Sequence, residues 1–215
     1  MRLSNTKIGI GIPLSFHMVP SAFFDSFIAM EKPDFTFFRT NTGPIEQMRN
    51  NLVADALGAG CTHLLMLDTD QQYPPDTLTR LLSHRKLAVG ARIRRRYPPF
   101  DNLMFRGTVG EYQPIQGWTP GDLVEVDATG TGCMLFDMMV FRRTKAPWFE
   151  TKTRNHKPVG EDFVFCAKLR AIGIPIFVDT GLCVHHLTQF GITDTFAAVY
   201  EKLAAAVAEQ EAHAA

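Results

Sequence analysis

Strand-like apolar segments alternate with helix-like segments along the first half of the chain, and this alternation constrains the fold most strongly. Strands are predicted at 7–13, 34–40, 62–68 and 87–93, with a helix between each consecutive pair. The pattern predicts an α/β domain with a mainly parallel central sheet flanked by helices. Because such sheets bind ligands beyond the carboxyl ends of their strands, polar residues at those ends are the first candidates for a functional site.

The second half of the chain begins with an irregular stretch. Residues 92–122 are rich in arginine, proline, glycine and aromatic residues and show no clear period, which predicts a long functional or mobile loop. A helix is predicted at 158–174 and final strands at 175–187. We therefore expect one domain over 1–190, followed by an Ala-rich helix over 191–215 that is a candidate contact surface for an oligomer.

The bulk composition disfavours several classes of protein. Lys plus Arg and Asp plus Glu number 22 each, so the zero formal charge implies no polyelectrolyte partner. The four cysteines are scattered without a CxxC pair, which favours buried free thiols over disulfides or a zinc site. No stretch reaches the ~20 apolar residues of a membrane span, and the N-terminus lacks the apolar centre of a signal peptide. We expect a cytoplasmic protein without a membrane span.

Two aspartates, Asp68 and Asp70, directly follow the apolar run from Leu64 to Leu67. A buried strand reads as such a run, and the carboxylates fall where this strand leaves the core. Like charges so close repel each other unless a cation or hydrogen-bond donors lie between them. Hard divalent cations such as Mg²⁺ and Mn²⁺ prefer carboxylate and phosphate oxygens. A metal site and plain turn or cap hydrogen bonds both fit this pattern.

Three further polar features follow along the chain. Glu161 and Asp162 come after a glycine at the start of a predicted helix, where acidic residues also favour the helix dipole. His185 and His186 lie near the end of the domain, where a histidine is either a core residue or a nitrogen ligand for Mn²⁺. The arginine cluster RIRRRY is either a solvated surface or an anion-binding loop.

Glycine fingerprints for phosphate binding do not fit this chain. The segment GIGIPLS contains GxG but lacks the third glycine and the immediate helix, and GTGCMLF runs into strand-like residues. The sequence contains no GxxxxGK[ST]. Dinucleotide-binding and P-loop proteins are therefore disfavoured.

Taken in order, these elements resemble the GT-A-fold glycosyltransferases, most closely those of family 2. The resemblance runs from about Lys7 to Leu187 and rests on the strand ending at Pro13 and on MRNNLVADAL, HLLMLDTD, VGARIRRR, TGTGCMLF, GEDFVFCAKLRAIG and VDTGLCVHHL. It implies a single GT-A-type domain, the fold of nucleotide-diphospho-sugar transferases. The arginine- and proline-rich residues 92–122 depart from the family's pattern.

The resemblance implies a donor pocket built from several of these segments. Pro13 and Asp68 would border the base and ribose of a nucleoside-diphosphate sugar. Arg49, from the first long helix, would face the nucleotide. Arg92 begins the segment 92–122, which departs from the family's pattern and should meet donor phosphate or acceptor.

The resemblance also implies a metal site and a general base. Mn²⁺ or Mg²⁺ would be chelated by Asp70, with Asp68 nearby. The histidine completing the shell would be His186 rather than His185. In inverting members the carboxylate of the ED pair is the base, which nominates Asp162. Its neighbour Glu161 would support it or contact the acceptor.

The activity implied is metal-dependent transfer of the sugar to an acceptor hydroxyl with inversion. The acceptor stays open between a glycan, a small molecule and a modified nucleic acid. Arg92 to Arg96 lie beside Tyr97 and Phe100, a mixture typical of surfaces that bind single-stranded nucleic acid, so a modified base in DNA is one alternative. A nucleotidyltransferase and a non-catalytic module that binds sugar nucleotides or nucleic acid are the others.

Overall fold

The computed structural model describes residues 6–14, 18–154, 156–189 and 191–214. Its first half alternates strands with helices as follows: β1 (Ile8–Pro13), α1 (Ser21–Ala29), β2 (Phe35–Thr40), α2 (Ile45–Gly58), β3 (His63–Leu67), β4 (Gln71–Gln72), α3 (Thr77–Ser83) and β5 (Ala88–Ile93). The strands and helices predicted for this half are confirmed. The two-residue strand β4 is an addition, because a segment so short leaves no periodic signal.

In its described residues, the second half contains short strands, three helices and one long strand. These elements are β6 (Met104–Arg106), β7 (Gln113–Pro114), β8 (Leu123–Val126), β9 (Ala128–Thr129), β10 (Cys133–Asp137), α4 (Met139–Arg143), β11 (Lys152–Arg154), β12 (Lys157–Val159), α5 (Glu161–Ala171), β13 (Ile176–His186) and α6 (Asp194–Ala214). The helix predicted at the C-terminus is confirmed as α6, while the division into a domain over 1–190 and an appended helix stays a prediction.

A central sheet runs in the order β2-β1-β3-β10-β5-β13, and β4 and β8 pair with different ends of β13. Strands β1, β2, β3, β5 and β13 point in one direction, and β4, β8 and β10 point in the other. The predicted α/β architecture with a mainly parallel sheet is confirmed. The carboxyl ends of β1, β3 and β5 therefore open on one edge.

The apolar run of β3 is buried on both faces of the sheet. Leu64 and Met66 pack into one core cluster, and Leu65 and Leu67 pack into another. Alternate side chains of a strand point to opposite faces, so a strand covered on both sides needs an uninterrupted apolar run. The run therefore stops at Asp68, where the strand leaves the core.

The irregular residues 92–122 carry more structure than their sequence predicts. Within them β6 and β7 join β9 in a separate three-stranded sheet, and a single bridge pairs Arg94 with Asn102. Strands of two or three residues are too short to show alternation. The segment therefore forms a folded lobe, which we call the insertion lobe, and not a plain loop.

The cysteines and the apolar character of the helices were also predicted from the sequence. Cys61, Cys133, Cys166 and Cys183 are free thiols; the first three are buried as predicted, and Cys183 is half-buried. Over the same described ranges, no helix has the length and apolar character needed to cross a bilayer.

Candidate active site

Hydrogen bonds hold the end of β3 against residues 130–132, which we call the glycine segment. Asp68 N donates to the carbonyl of Gly132 at 2.8 Å, and the buried Tyr73 hydroxyl donates to the carbonyls of Asp68 and Gly132 at 2.6 and 3.0 Å. Pro13 ends β1, which runs parallel to β3. Pro13 and Asp68 therefore lie at the same carboxyl edge, where ligands of α/β sheets bind.

A buried arginine on α2 joins this edge to the start of α5. Nη2 of Arg49 donates to both carboxylate oxygens of Asp68 at 3.0 Å, and its Nε donates to Glu161 at 3.1 Å. Arg49 is only 3% exposed. Burial alone would lower its pKa, but the charges of Asp68 and Glu161 raise it above the ordinary value. The guanidinium therefore stays charged and holds both carboxylates. Its predicted contact with a nucleotide stays a prediction.

Asp162 opens α5 with one carboxylate oxygen engaged and the other beside the glycine segment. Its Oδ1 accepts a 2.8 Å hydrogen bond from Phe163 N. A methyl group built at Gly130 would lie 3.7 Å from its Oδ2. Burial, followed by repulsion from Glu161, raises the pKa of Asp162 to about 7. A carboxyl with this pKa can take up and release a proton near neutral pH.

The antiparallel pairing of β4 with β13 brings His186 next to Asp70. It aligns His186 with Gln71, and Nε2 of His186 lies 3.4 Å from Oδ2 of Asp70. Because Nδ1 of His186 lies 2.8 Å from the carbonyl of Arg94, which only accepts, Nδ1 carries a proton, and Nε2 faces the carboxylate. The neighbouring His185 is exposed.

Asp70 also pairs with Arg96, whose Nη1 lies 2.9 Å from the same oxygen. Burial alone would raise the pKa of Asp70, but His186 and Arg96 together lower it below the ordinary value. Each of the two aspartates therefore has its own cationic partner, Arg49 for Asp68 and Arg96 for Asp70. This pairing answers how two carboxylates tolerate each other at one strand end.

The arrangement fits a divalent ion with two protein ligands. In the described part of the chain, no group of three or more His, Cys, Asp or Glu side chains is placed to hold a metal. Asp70 and His186 would suffice, because Mg²⁺-type ions often bind one or two protein groups and take their other ligands from phosphates and water. An Nδ1–H donated to a carbonyl is typical of metal-binding histidines. A metal ion on Asp70 and His186 stays a prediction, as does Asp68 as a ligand, both of whose oxygens accept from Arg49.

Arg92 is tied to the base of the insertion lobe. Its Nε donates to the carbonyl of Thr180 at 2.9 Å, and its guanidinium lies 5.4 Å from the ring centroid of Trp118. These partners lie outside the set of predicted site residues. Its role in binding donor phosphate stays a prediction.

Sequence reasoning missed Thr131, which lies between Gly130 and Gly132. Among the described residues, its hydroxyl is the buried side-chain polar atom without a hydrogen-bond partner. A methyl group at Gly132 would overlap the Gln71 amide and lie 2.7 Å from Oδ2 of Asp68, so a side chain there would displace one of these two groups. Unpaired buried polar atoms are rare, so the Thr131 hydroxyl is a candidate contact for a bound molecule. Its flanking glycines in TGTG were the available signal.

Comparison with known proteins gives a fold and no family. No protein-family model matches the chain, and no curated protein matches it in sequence. Solved structures that it resembles include A197 from STIV, with 13% identity, a TM-score of 0.61 and coverage of 86% of this chain and 87% of that one.

Two further similar structures are larger proteins. GalNAc-T7, solved with UDP, GalNAc and Mn²⁺, shares 13% identity at a TM-score of 0.56, and the match covers 87% of this chain and 45% of that one. The TarS fragment from S. aureus shares 12% identity at a TM-score of 0.51, over 85% of this chain and 60% of that one. The chain thus spans about half the length of each of these two solved chains. The predicted GT-A-type fold is confirmed.

Proposed function

We propose that this protein is a metal-dependent glycosyltransferase that moves a sugar from a nucleoside-diphosphate sugar to an acceptor hydroxyl with inversion. One observation carries the proposal: Arg49 binds both Asp68 and Glu161, which brings the neighbouring Asp162, with its pKa raised to about 7, to the strand end that also carries Asp70 and its partner His186. The GT-A-type fold and the UDP, GalNAc and Mn²⁺ bound to GalNAc-T7 support this class of donor and metal.

Asp70 and His186 would hold the metal, with Arg96 next to them. A bound divalent cation supplies electrostatic stabilisation to the negative charge that grows on a leaving diphosphate. The pKa of Asp70 lies below its ordinary value, so this carboxylate is ionised at neutral pH. His186 presents Nε2 because its other ring nitrogen is held by the carbonyl of Arg94.

Asp162 would act as the general base through Oδ2. It takes the proton of the acceptor hydroxyl while the hydroxyl oxygen forms a bond to the anomeric carbon. The bond from that carbon to the diphosphate oxygen breaks, and its electron pair leaves with the nucleoside diphosphate. Attack on the side opposite the leaving group inverts the anomeric centre. General base catalysis of this kind contributes typically about 10²–10⁴-fold.

The direct test is release of nucleoside diphosphate from UDP-, GDP- and dTDP-sugars mixed with the protein and Mn²⁺. At least one donor should be consumed, and the released product should be the nucleoside diphosphate. Release of pyrophosphate from a nucleoside triphosphate and a sugar phosphate would instead identify a nucleotidyltransferase. Binding of donors without any turnover, in the presence of acceptors, would leave only a binding module.

Asp70→Asn should lower this turnover by more than roughly 100-fold, because the ion loses a charged ligand. The matched control is Asp25→Asn, the same change at an exposed position on α1, which should keep full turnover. The assay is the initial rate of nucleoside diphosphate release at saturating Mn²⁺. Equal rates in the two variants would contradict the metal assignment.

Turnover should rise with pH through about 7 and then level off, since only ionised Asp162 accepts the proton. Below that midpoint log kcat should fall with a slope near one per pH unit. Glu161→Gln should move the midpoint to lower pH, because Glu161 is the second cause of the raised pKa. A profile that is flat through neutral pH would remove Asp162 as the base.

A further inference from the structure

Arg96, in the insertion lobe, contacts the same carboxylate oxygen as His186. Its Nη1 lies 2.9 Å from Oδ2 of Asp70, and Nε2 of His186 lies 3.4 Å from that oxygen. The side chains of Arg96 and Asp70 are 43% and 36% exposed, so solvent reaches both partners. A guanidinium therefore neutralises the carboxylate that is proposed to hold the metal.

Arg96 and a divalent ion compete for this carboxylate. A cation is attracted to a free carboxylate, whereas two cations held close together repel each other. An ion bound by Asp70 and His186 would bring two positive charges next to the guanidinium. The attraction that holds Arg96 at Asp70 therefore becomes a repulsion when Asp70 takes the ion.

The backbone near Arg96 is held in place, while its side chain can leave Asp70. The carbonyl of Arg94 lies 2.8 Å from Nδ1 of His186, and Arg95 N donates to the carbonyl of Asp101 at 2.8 Å. These contacts keep the segment next to the end of β13. An ion pair between side chains this exposed contributes little to stability, so the cost of separating Arg96 from Asp70 is small.

A diphosphate would offer Arg96 a stronger partner than Asp70. Divalent ions held by one or two protein carboxylates commonly take further ligands from substrate phosphates, so an ion on Asp70 would hold phosphate close to Arg96. The planar guanidinium can donate two parallel hydrogen bonds to phosphate oxygens. The diphosphate also supplies the negative charge that Arg96 loses when Asp70 takes the ion.

We propose that Arg96 is an exchangeable cation of this site, which pairs with Asp70 when no metal is bound and binds the donor diphosphate once Asp70 holds the metal. The proposal rests on the proposed function for the identity of the diphosphate as part of a sugar donor. The exchange itself is a binding event, so it is measured with Mn²⁺ and nucleoside diphosphates alone. It predicts effects of opposite sign for one substitution.

The first measurement is Mn²⁺ binding without nucleotide, followed by the electron paramagnetic resonance signal of the free ion. Arg96→Gln should bind Mn²⁺ about two- to fivefold more tightly than the wild type, because the ion no longer displaces a surface ion pair. The matched control is Arg95→Gln, which removes the same charge from the adjacent residue and should bind like the wild type. Binding by Arg96→Gln that is no tighter than that of the control would overturn the proposal.

The second measurement is calorimetric titration of UDP, GDP and dTDP at saturating Mn²⁺. Arg96→Gln should weaken the nucleotide that binds the wild type by roughly tenfold or more, the usual effect of losing a hydrogen bond between charged groups. Arg96→Lys should weaken it less, because it keeps the charge without the forked geometry. Arg95→Gln should again match the wild type.

The directions of the two effects separate exchange from simpler roles of Arg96. If Arg96→Gln strengthens the binding of both Mn²⁺ and the nucleotide, Arg96 only blocks the site. If it weakens both, Arg96 only positions Asp70. Either result, or the absence of any effect in both titrations, would overturn the proposal. The variant should melt at the wild-type temperature, since the substituted side chain lies at the surface, so a folding defect does not account for the expected changes.

Failure of the exchange and failure of the proposed function give different results. If the two effects have opposite signs but no sugar donor is consumed, the transferase activity fails and the exchange stands. If nucleoside diphosphate is released from a sugar donor but Arg96→Gln behaves like Arg95→Gln in both titrations, the exchange is refuted and the activity stands.

Discussion

Asp162→Asn is expected to lower kcat by about 10²–10⁴-fold, the usual contribution of a general base, while donor binding persists. The amide keeps the shape of the side chain and can still accept the hydrogen bond from Phe163 N. It cannot take a proton from the acceptor. The measurement is nucleoside diphosphate release at saturating donor, with Asp25→Asn as the matched control. Wild-type turnover in Asp162→Asn would refute the role of this residue.

The same variant should be more stable than the wild type above neutral pH. The pKa of Asp162 is raised to about 7 in the folded protein and is about 3.9 in an unfolded chain. Between these values the folded state binds the proton more tightly, so the free energy of unfolding decreases as pH rises. The amide of the Asp162→Asn variant does not ionise, so the variant does not lose this free energy of unfolding as pH rises. Its melting temperature should therefore exceed that of the wild type at pH 8, and the difference should shrink toward pH 4.

Arg49→Met is expected to lower the free energy of unfolding by about 3–5 kcal/mol, the usual cost of leaving a buried charge without its partner. The side chain of Arg49 is 4% exposed, and those of Asp68 and Glu161 are 25% and 13% exposed. Methionine fills similar space but leaves both carboxylates without their cation. Urea unfolding followed by circular dichroism measures the change.

The control for this effect is Arg39→Met, on the exposed side of β2, which should change stability by less than about 0.5 kcal/mol. The stability of Arg49→Lys should lie between those of Arg49→Met and Arg39→Met. An ammonium keeps the charge but cannot reproduce the forked geometry that reaches both carboxylates. Equal stability of Arg49→Met and Arg39→Met would show that the Asp68–Arg49–Glu161 cluster does not hold α2, β3 and α5 together.

Local sequence patterns were sufficient to predict where the main strands and helices lie. The buried run at Leu64–Leu67 follows from a strand covered on both faces, and the position of Asp68 follows from where that run ends. The start of α5 at Glu161 follows from the glycine and acidic residues that open it. These signals act over a few residues, so they can be read without knowing the tertiary structure.

The contacts that assemble the candidate site could not be read in this way. Arg49 meets Glu161 across 112 positions, and His186 meets Asp70 across 116. The second contact depends on β4, a strand of two residues that no periodic pattern reveals. The family resemblance suggested that Asp70 and His186 meet, whereas the contact of His186 with Arg94 follows from the pairing of β13 with β5, which aligns Val184 with Ile93. The insertion lobe was likewise missed because its strands are too short.

Calorimetric titration of UDP, GDP and dTDP into the protein, with Mn²⁺ and then with a chelator, tests most directly whether this sheet edge binds a diphosphate through a metal. At least one nucleotide should bind with Mn²⁺, the chelator should abolish the binding heat, and Asp70→Asn should behave like the chelated wild type. Binding that is equally strong without the ion, or no binding by any nucleotide with it, would contradict a diphosphate site that depends on a metal.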